Sequence, residues 1–370
     1  MLPFLLLLSA LLLSLVAPHG ETPVPIVDVT GLLQEEDGDE SGQVVKSVLE
    51  AIDEALQSQG IFLLTAEQFK DPEYFSGFLG AAQALFNLKL EDKESVSIES
   101  NELRGYLPIG SESGLEAIYE PKEGFAYGFD WTQEEARSKT NDMQVDNIWP
   151  ISFQKHDREK LDNFLKLSSK LAAMLCRFLE VLLHEIDEGK SNTLLSSVAN
   201  DGDTISLMRL FHYLPADHSN HRDILGSSPH TDWGYLTLIL QDSVGGLQFL
   251  RENDWIDVPT IPGTLVVNGG DFLHLLSKGR YKSPIHRVIC PTYEQGERYS
   301  FVYFHYPGYD TLFDQNQTQH VELNNNGDVI EHKTKGDEYN TLLTSPGFDT
   351  IVDQRFGSYI RQKWREVFRK

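Results

Sequence analysis

Read for the spacing of hydrophobic and polar positions, the chain divides into a helix-bearing first half and a strand-rich second half. "VPIVDVTGLL", from Val24, is a short β-like run. Val44, Val45, Val48, Leu49, Ile52 and Leu56 then recur at helical spacing, which predicts a helix from Gln43 to about Gln59 with Gly60 as its stop. "IFLLT" follows as a buried strand, and the stretch from Phe69 to Asp157 mixes helix and loop signals. A long helix is predicted from Asp157 to Asp187, its apolar stripe formed by Phe164, Leu167, Leu171, Met174, Leu175, Phe178 and Leu182 and its end marked by Gly189. Between Ser206 and Tyr306 the pattern changes to short Val, Ile, Leu and Tyr runs broken by Gly, Pro, Asn and Asp, the signature of a β-sandwich or jelly roll. A last amphipathic helix carries Phe356, Tyr359, Ile360, Trp364, Val367 and Phe368. The chain shows no internal repeat and no low-complexity tract.

The opening "MLPFLLLLSALLLSLVAPHG" stands apart. Its apolar core, Leu2 to Ala17, is shorter than the roughly 20 residues of a membrane span, and small and turn-forming residues follow it. It reads as a secretory signal peptide cut near Ala17–Gly20, although no Lys or Arg precedes the apolar core. The alternative is an uncleaved anchor or an organelle-targeting leader. The expected layout is a signal peptide over 1–20, a helical and β region over 21–200, a jelly-roll core over 201–310, and a C-terminal extension with its helix over 311–370. A cleaved leader implies a secreted or lumenal protein with no stable membrane association. The sequon Asn316-Gln317-Thr318 acquires meaning only in that case.

Composition narrows the picture. With 40% hydrophobic and 24% charged residues the chain is that of a globular protein able to bury a substantial core. A formal net charge of −25 argues against binding a phosphate backbone or an anionic membrane surface, and a monomer is expected. Two cysteines, Cys176 and Cys290, are too few for a disulfide scaffold and read as buried thiols.

"SPHTDWGYLTLIL", residues 228–240, places His230 and Asp232 at the mouth of an apolar run. On a strand, residues two apart share a face, so His230, Asp232, Gly234, Leu236, Leu238 and Leu240 would point into one enclosed space. A buried carboxylate beside an imidazole must be paired, hydrogen-bonded or metal-bound. A structural His–Asp hydrogen bond and a metal site both satisfy that requirement. The same H-x-D spacing at His221–Asp223 lies in the polar "ADHSNHRDILG" and reads as a solvated loop. A third ligand would come from His274, His286 or His305. His286 opens an apolar run, as His230 does. His274 in "DFLHLLSKG" reads as a core or edge residue, and His305 points away from Arg298.

In "RYSFVYFH", Arg298, Ser300, Val302 and Phe304 share one strand face. An arginine two residues from a serine on an inward face forms a carboxylate clamp, a planar fork with a hydroxyl donor beside it. A salt bridge to a distant acid is the alternative.

The segments from His230 to Ser300 resemble the 2-oxoglutarate/Fe(II)-dependent dioxygenases of the isopenicillin-N-synthase-like family. The likeness is carried by "PHTDWGYLTLILQDSVGGLQFL", "WIDVPTIPGTLVVNGGDFLHLLSKGRYKSPIHRV" and "RYSFVYF", and extends to "VPIVDVTGL", "GIFLLT", "RGYLP" and "NIWP". The resemblance implies an α+β fold with a double-stranded β-helix (jelly-roll) core, supported by an N-terminal helical and β region and a C-terminal helix. It implies Fe(II) held by His230, Asp232 and His286, with 2-oxoglutarate and O2 as co-substrates. The co-substrate clamp falls on Arg298 and Ser300, and the tyrosine of an "HYxP"-like strand on Tyr213 in "FHYLPAD". The chain departs from the family at "NGGD", where another apolar residue usually precedes Gly-Asp, and at Lys278, where Asn is common.

The implied activity is oxidation of a small organic substrate by hydroxylation, desaturation or cyclisation, with release of succinate and CO2. Trp233, Phe304, Arg104 and Phe125 are candidate pocket residues, and Arg104 could meet a carboxylate-bearing substrate. Three rivals stand beside this reading. They are an iron oxidase that does not use 2-oxoglutarate, a non-catalytic secreted binding protein on the same fold, and a zinc hydrolase built on the His2Asp set.

Overall fold

The computed structural model describes residues 22–33, 39–71, 73–98, 103–112, 118–130, 141–186, 205–216, 224–277, 279–311 and 355–368. The leader, the His221–Asp223 loop, Lys278 and the Asn316 sequon lie outside the described residues. Among the described residues twelve strands run in chain order: β1 Ile26–Asp28, β2 Ile61–Thr65, β3 Gly105–Leu107, β4 Lys122–Gly128, β5 Leu207–Tyr213, β6 Ser227–His230, β7 Leu236–Gln241, β8 Leu247–Arg251, β9 Asp254–Asp257, β10 Thr264–Gly269, β11 His286–Val288 and β12 Arg298–His305. They form an eight-stranded sheet of order β1-β2-β10-β7-β12-β5-β4-β3 and a four-stranded sheet of order β6-β11-β8-β9.

Period-2 alternation explains how the larger sheet is buried on both faces. From "IFLLT", Ile61 and Leu63 enter an inter-sheet core with Phe211, Ile239, Phe249, Val266, Val288 and Val302. Phe62 and Leu64 enter the larger core under the helices. β12 divides the same way, with Tyr299, Phe301 and Tyr303 toward the helices and Val302 toward the second sheet. Gly263 turns the chain into β10 at a φ of 78°, and a Cβ there would stand 2.6 Å from the Phe69 carbonyl. Only glycine accepts both conditions.

The first predicted helix is observed as Asp39–Ser58, burying Val48, Ile52, Ala55 and Leu56. The long helix spans Lys155–Ile186, but its buried line is rotated from the predicted stripe. Leu161, Phe164, Leu165, Ser168, Leu171, Ala172, Leu175, Cys176 and Leu179 are buried, while Leu167, Met174, Phe178 and Leu182 are half-buried. The small residues Ser168, Ala172 and Cys176 lie along the centre of this line, where they permit close approach to the sheet. A hydropathy stripe underweights such residues. Within the unassigned Phe69–Asp157 stretch, helices Ser76–Phe86 and Leu90–Glu94 precede β3 and β4. Both cysteines are buried as thiols, outside any disulfide. The C-terminal helix, Phe356–Phe368, buries Phe356, Tyr359, Ile360 and Trp364, and the side chains of Val367 and Phe368 lie outside the described residues.

One expectation fails in an informative way. Residues 229–240 are not a single strand. β6 ends at His230 in the small sheet, the chain bends through Thr231–Tyr235, and β7 starts at Leu236 in the large sheet. His230 and Asp232 therefore face the same space because the chain crosses between sheets, not because they share a strand face.

Candidate active site

A pocket of about 320 Å³ opens at one end of the inter-sheet space. Its lining includes His230, Asp232 and His286, and also Tyr213, Arg298 and Ser300. Antiparallel pairing of β6 with β11 sets His230 directly opposite His286, ring centroids 4.3 Å apart. Asp232 reaches the same point from the bend after β6. Its carboxylate lies 3.9 Å from His230 Nε2 and 3.7 Å from His286 Nε2. One donor atom from each of the three residues falls within 4.8 Å of the others.

The imidazoles are held in one tautomer. His230 Nδ1 donates to the Ser228 carbonyl (2.8 Å) and His286 Nδ1 to the Pro284 carbonyl (3.0 Å). A carbonyl only accepts, so each Nδ1 carries the proton and each Nε2 presents a lone pair to the shared space. Desolvation within the pocket, reinforced by repulsion from His286, lowers His230 to about 4 and favours its neutral ring, although 43% of the side chain is exposed at the pocket. Burial opposes ionisation of Asp232, but the two histidines and hydrogen bonds from Asn268 and Thr237 outweigh it and lower its pKa. Asp232 is 4% exposed and has no Lys or Arg partner among the described residues. Two neutral nitrogen donors and one buried anion form a set that fits a divalent cation, and the 2-His-1-carboxylate arrangement suits Fe(II).

The bend that carries Asp232 is fastened by "NGGDF". Asn268 Nδ2 donates to Asp232 Oδ2 at 2.8 Å. The backbone N–H groups of Gly270, Asp271 and Phe272 donate to the carbonyls of Tyr235 (3.0 Å), Asp232 (2.7 Å) and Gly234 (3.1 Å). A Cβ at Gly270 would lie 2.3 Å from the Gly234 oxygen, so a side chain here would displace the bend. Asp271 adds a second tie, accepting from Thr231 at 3.0 Å and Ser283 at 2.7 Å.

At one end of the pocket Arg298 is 1% exposed and stacks 4.6 Å over the Tyr213 ring. Its Nε donates to the Gly245 carbonyl at 2.6 Å. Its Nη1 is buried with no hydrogen-bond partner, and it forms no ion pair among the described residues. That excludes the salt-bridge alternative among those residues and leaves a buried cation suited to an incoming carboxylate. Cross-strand register places Lys122, Tyr213 and Arg298 in one row over β4, β5 and β12. Lys122 is neutralised by Glu120 at 2.5 Å, and Glu120 also accepts from the Ser228 backbone N–H at 2.7 Å.

His274 and His305 stand outside this site. His274 Nδ1 donates to the Tyr281 carbonyl at 2.7 Å, and His305 is buried on the opposite face of β12, where burial lowers it to about 4. Trp233 and Phe304 line the pocket as expected, whereas Phe125 stacks on Trp149 at 4.9 Å in the helix-side core. Arg104 is buried beside the site without lining it. Sequence reasoning missed Asn268, Glu112, Glu120, Lys122, Arg209 and Trp364. Arg209 could have been found, because on β5 it shares a face with Tyr213, four residues on. The others give no local signal.

The model of the 2OG-Fe(II) oxygenase superfamily matches residues 204–307, and that of the non-haem dioxygenase in morphine synthesis N-terminal region matches residues 24–152. The 2-oxoglutarate-dependent dioxygenase citB of Monascus ruber is 32% identical over 295 residues, 76% of this chain and 84% of the relative. Homoarginine-6-hydroxylase 2-ODD-C23 of Glycine max is 28% identical over 339 residues, covering 89% and 98% of the two chains. A full-length Neurospora crassa protein, solved by crystallography in complex with alpha-KG, superposes with a TM-score of 0.66 at 24% identity over 94% of this chain and 98% of its own.

Proposed function

Because the chain belongs to the 2OG-Fe(II) oxygenase superfamily, we propose that His230, Asp232 and His286 hold its Fe(II) and that Arg298, Ser300 and Tyr213 seat its 2-oxoglutarate. The protein is a 2-oxoglutarate-dependent dioxygenase that oxidises a small organic substrate on a jelly-roll core. The observation that carries the residue assignment is the convergence of three donor atoms within 4.8 Å in the pocket that Arg298 also lines, its Nη1 buried without a hydrogen-bond partner among the described residues. When bound, Fe(II) supplies the redox chemistry that couples decarboxylation of 2-oxoglutarate by O2 to substrate oxidation.

The chain's own part is geometric and electrostatic. The Ser228 and Pro284 carbonyls fix the histidine tautomers, and Asn268 and Thr237 hold the carboxylate rotamer. Arg298, carrying a charge that no acid among the described residues neutralises in an ion pair, recruits a dianion into an otherwise acidic protein. Tyr213 packs against the Arg298 guanidinium and holds its plane.

An anaerobic titration of 2-oxoglutarate into Fe(II)-loaded protein, followed by the visible metal-to-ligand charge-transfer band, tests the reading. A saturable band is the expected result, and its absence from a folded, iron-loaded protein would remove the assignment. Two variants examine how Asp232 is held. Asn268→Leu removes a hydrogen bond to the carboxylate and should weaken Fe(II) about 10- to 100-fold while the protein stays folded, as read by metal titration. Gly270→Ala forces Cβ into the Gly234 carbonyl and should cost about 1–3 kcal/mol of stability, as measured by denaturant unfolding, together with a drop in iron affinity. Wild-type stability and affinity in Gly270→Ala would show that the bend does not position Asp232.

A further inference from the structure

We propose that the prime substrate is a small aromatic carboxylic acid whose carboxylate is received by Arg209, at the end of the pocket remote from Arg298. The inference deepens the dioxygenase reading and rests on it for the identity of the oxidising centre. Arg209 lies on β5 opposite Val302, and Tyr213 opposite Arg298, so the two arginines are four residues apart along adjoining strands. That is a separation of roughly 13 Å at ordinary strand rise. Both line the same pocket as the histidine–aspartate cluster.

Arg209 is 8% exposed and gives Nη1 to Glu112 Oε1 at 2.7 Å. Its Nε and Nη2 are buried with no hydrogen-bond partner among the described residues. Those two N–H groups form the side edge of the guanidinium, two parallel donors matched to the two oxygens of one carboxylate. Leaving both unmet in a buried site is costly, and a neutral pocket wall would not need them.

Charge accounting favours an anion. Arg104, also buried, lies close enough for the two guanidiniums to repel, and its Nε too lacks a partner. Burial, with that repulsion, lowers Arg104 to about 10, so it remains cationic at neutral pH. Among the described residues the ion pair with Glu112 is the one carboxylate contact of this cationic pair, leaving one positive charge for an incoming anion to balance.

The surrounding surface specifies the rest of the molecule. The Trp364 ring from the C-terminal helix stacks 4.0 Å from the Arg209 guanidinium carbon and meets Trp233 edge-on at 6.4 Å. Phe304 and Tyr306 add near-parallel rings 6.0 Å apart. Flat apolar walls beside a fixed fork suit a planar ring bearing a carboxylate.

The test uses benzoate, cinnamate and indole-3-propionate, each against its primary amide. Binding to anaerobic, full-length, Fe(II)-loaded protein is measured by calorimetry with and without 2-oxoglutarate. At least one acid should bind about tenfold or more tightly than its amide, because the amide turns a donor toward the guanidinium. Glu112→Gln, which leaves Arg209 unneutralised, should tighten that acid several-fold, a gain that a purely structural ion pair would not produce. Arg209→Gln with Glu112→Gln, chosen so that no lone buried charge remains, should erase the preference. The proposal is overturned if no acid outbinds its amide, including the case where none binds, or if the preference survives the double substitution. The charge-transfer band separates the two readings. Its loss in wild type refutes the co-substrate assignment, while the acid–amide comparison without 2-oxoglutarate still decides the role of Arg209.

Discussion

Replacing Asp232 with alanine is expected to abolish the band that 2-oxoglutarate gives with Fe(II), and turnover with it. Asp232 is the anion of the three-residue cluster, and its removal leaves two neutral imidazoles around a divalent charge. It also leaves the Asn268 amide and the Thr237 hydroxyl as buried donors without their acceptor. The loss in metal affinity should exceed the roughly 10- to 100-fold that follows from removing an outer hydrogen-bonding partner. Metal titration checks the affinity, circular dichroism checks the fold, and Asp232→Asn provides a variant that still accepts from Asn268. An unchanged band in a folded Asp232→Ala protein would place the metal elsewhere.

Arg298→Ala is the second large effect. It should weaken 2-oxoglutarate by roughly tenfold to a hundredfold or more, since a hydrogen bond to a charged group contributes on the order of 1.5–3 kcal/mol. The arginine is fully buried and its Nη1 has no partner among the described residues, so its charge would act on the co-substrate in a nearly water-free setting. Arg298→Lys keeps the charge but loses the fork, and should recover only part of the affinity. Iron binding measured without 2-oxoglutarate separates loss of the clamp from loss of the metal. Equal 2-oxoglutarate affinity in wild type and Arg298→Ala would refute the clamp.

Both predictions concern residues that physical pattern singles out in the sequence and to which the family resemblance gives their roles. Arg298 and Ser300 follow from period-2 alternation in "RYSFVYFH", because a strand buried on both faces must carry any inward charge at a fixed parity. His230 and His286 each open an apolar run, and β6–β11 pairing brings them together. Asp232 was identified for a reason the structure corrects. The single-strand reading missed the crossing between sheets, since apolar residues on both sides of a bend look like one run. The long helix shows the same limit, its extent recovered and its buried line displaced toward Ser168, Ala172 and Cys176.

The sequence by itself determined the first, the long and the C-terminal helices, the strand-rich core and the chemistry of the donors, because periodicity and residue type are local and record which positions leave water; the elements between Phe69 and Asp157 and the break at Thr231–Tyr235 left no such record. Tertiary structure alone decided what meets what. Glu112 reaches Arg209 from 97 residues away, and Trp364 covers that arginine from a helix near the C-terminus. Asn268 braces Asp232 across 36 residues, and Glu120 ties Lys122 to Ser228 across 108. A buried charge signals in its own sequence that a partner is required. Which distant group supplies it depends on how the sheets and helices close around the pocket, and no local pattern records that closure.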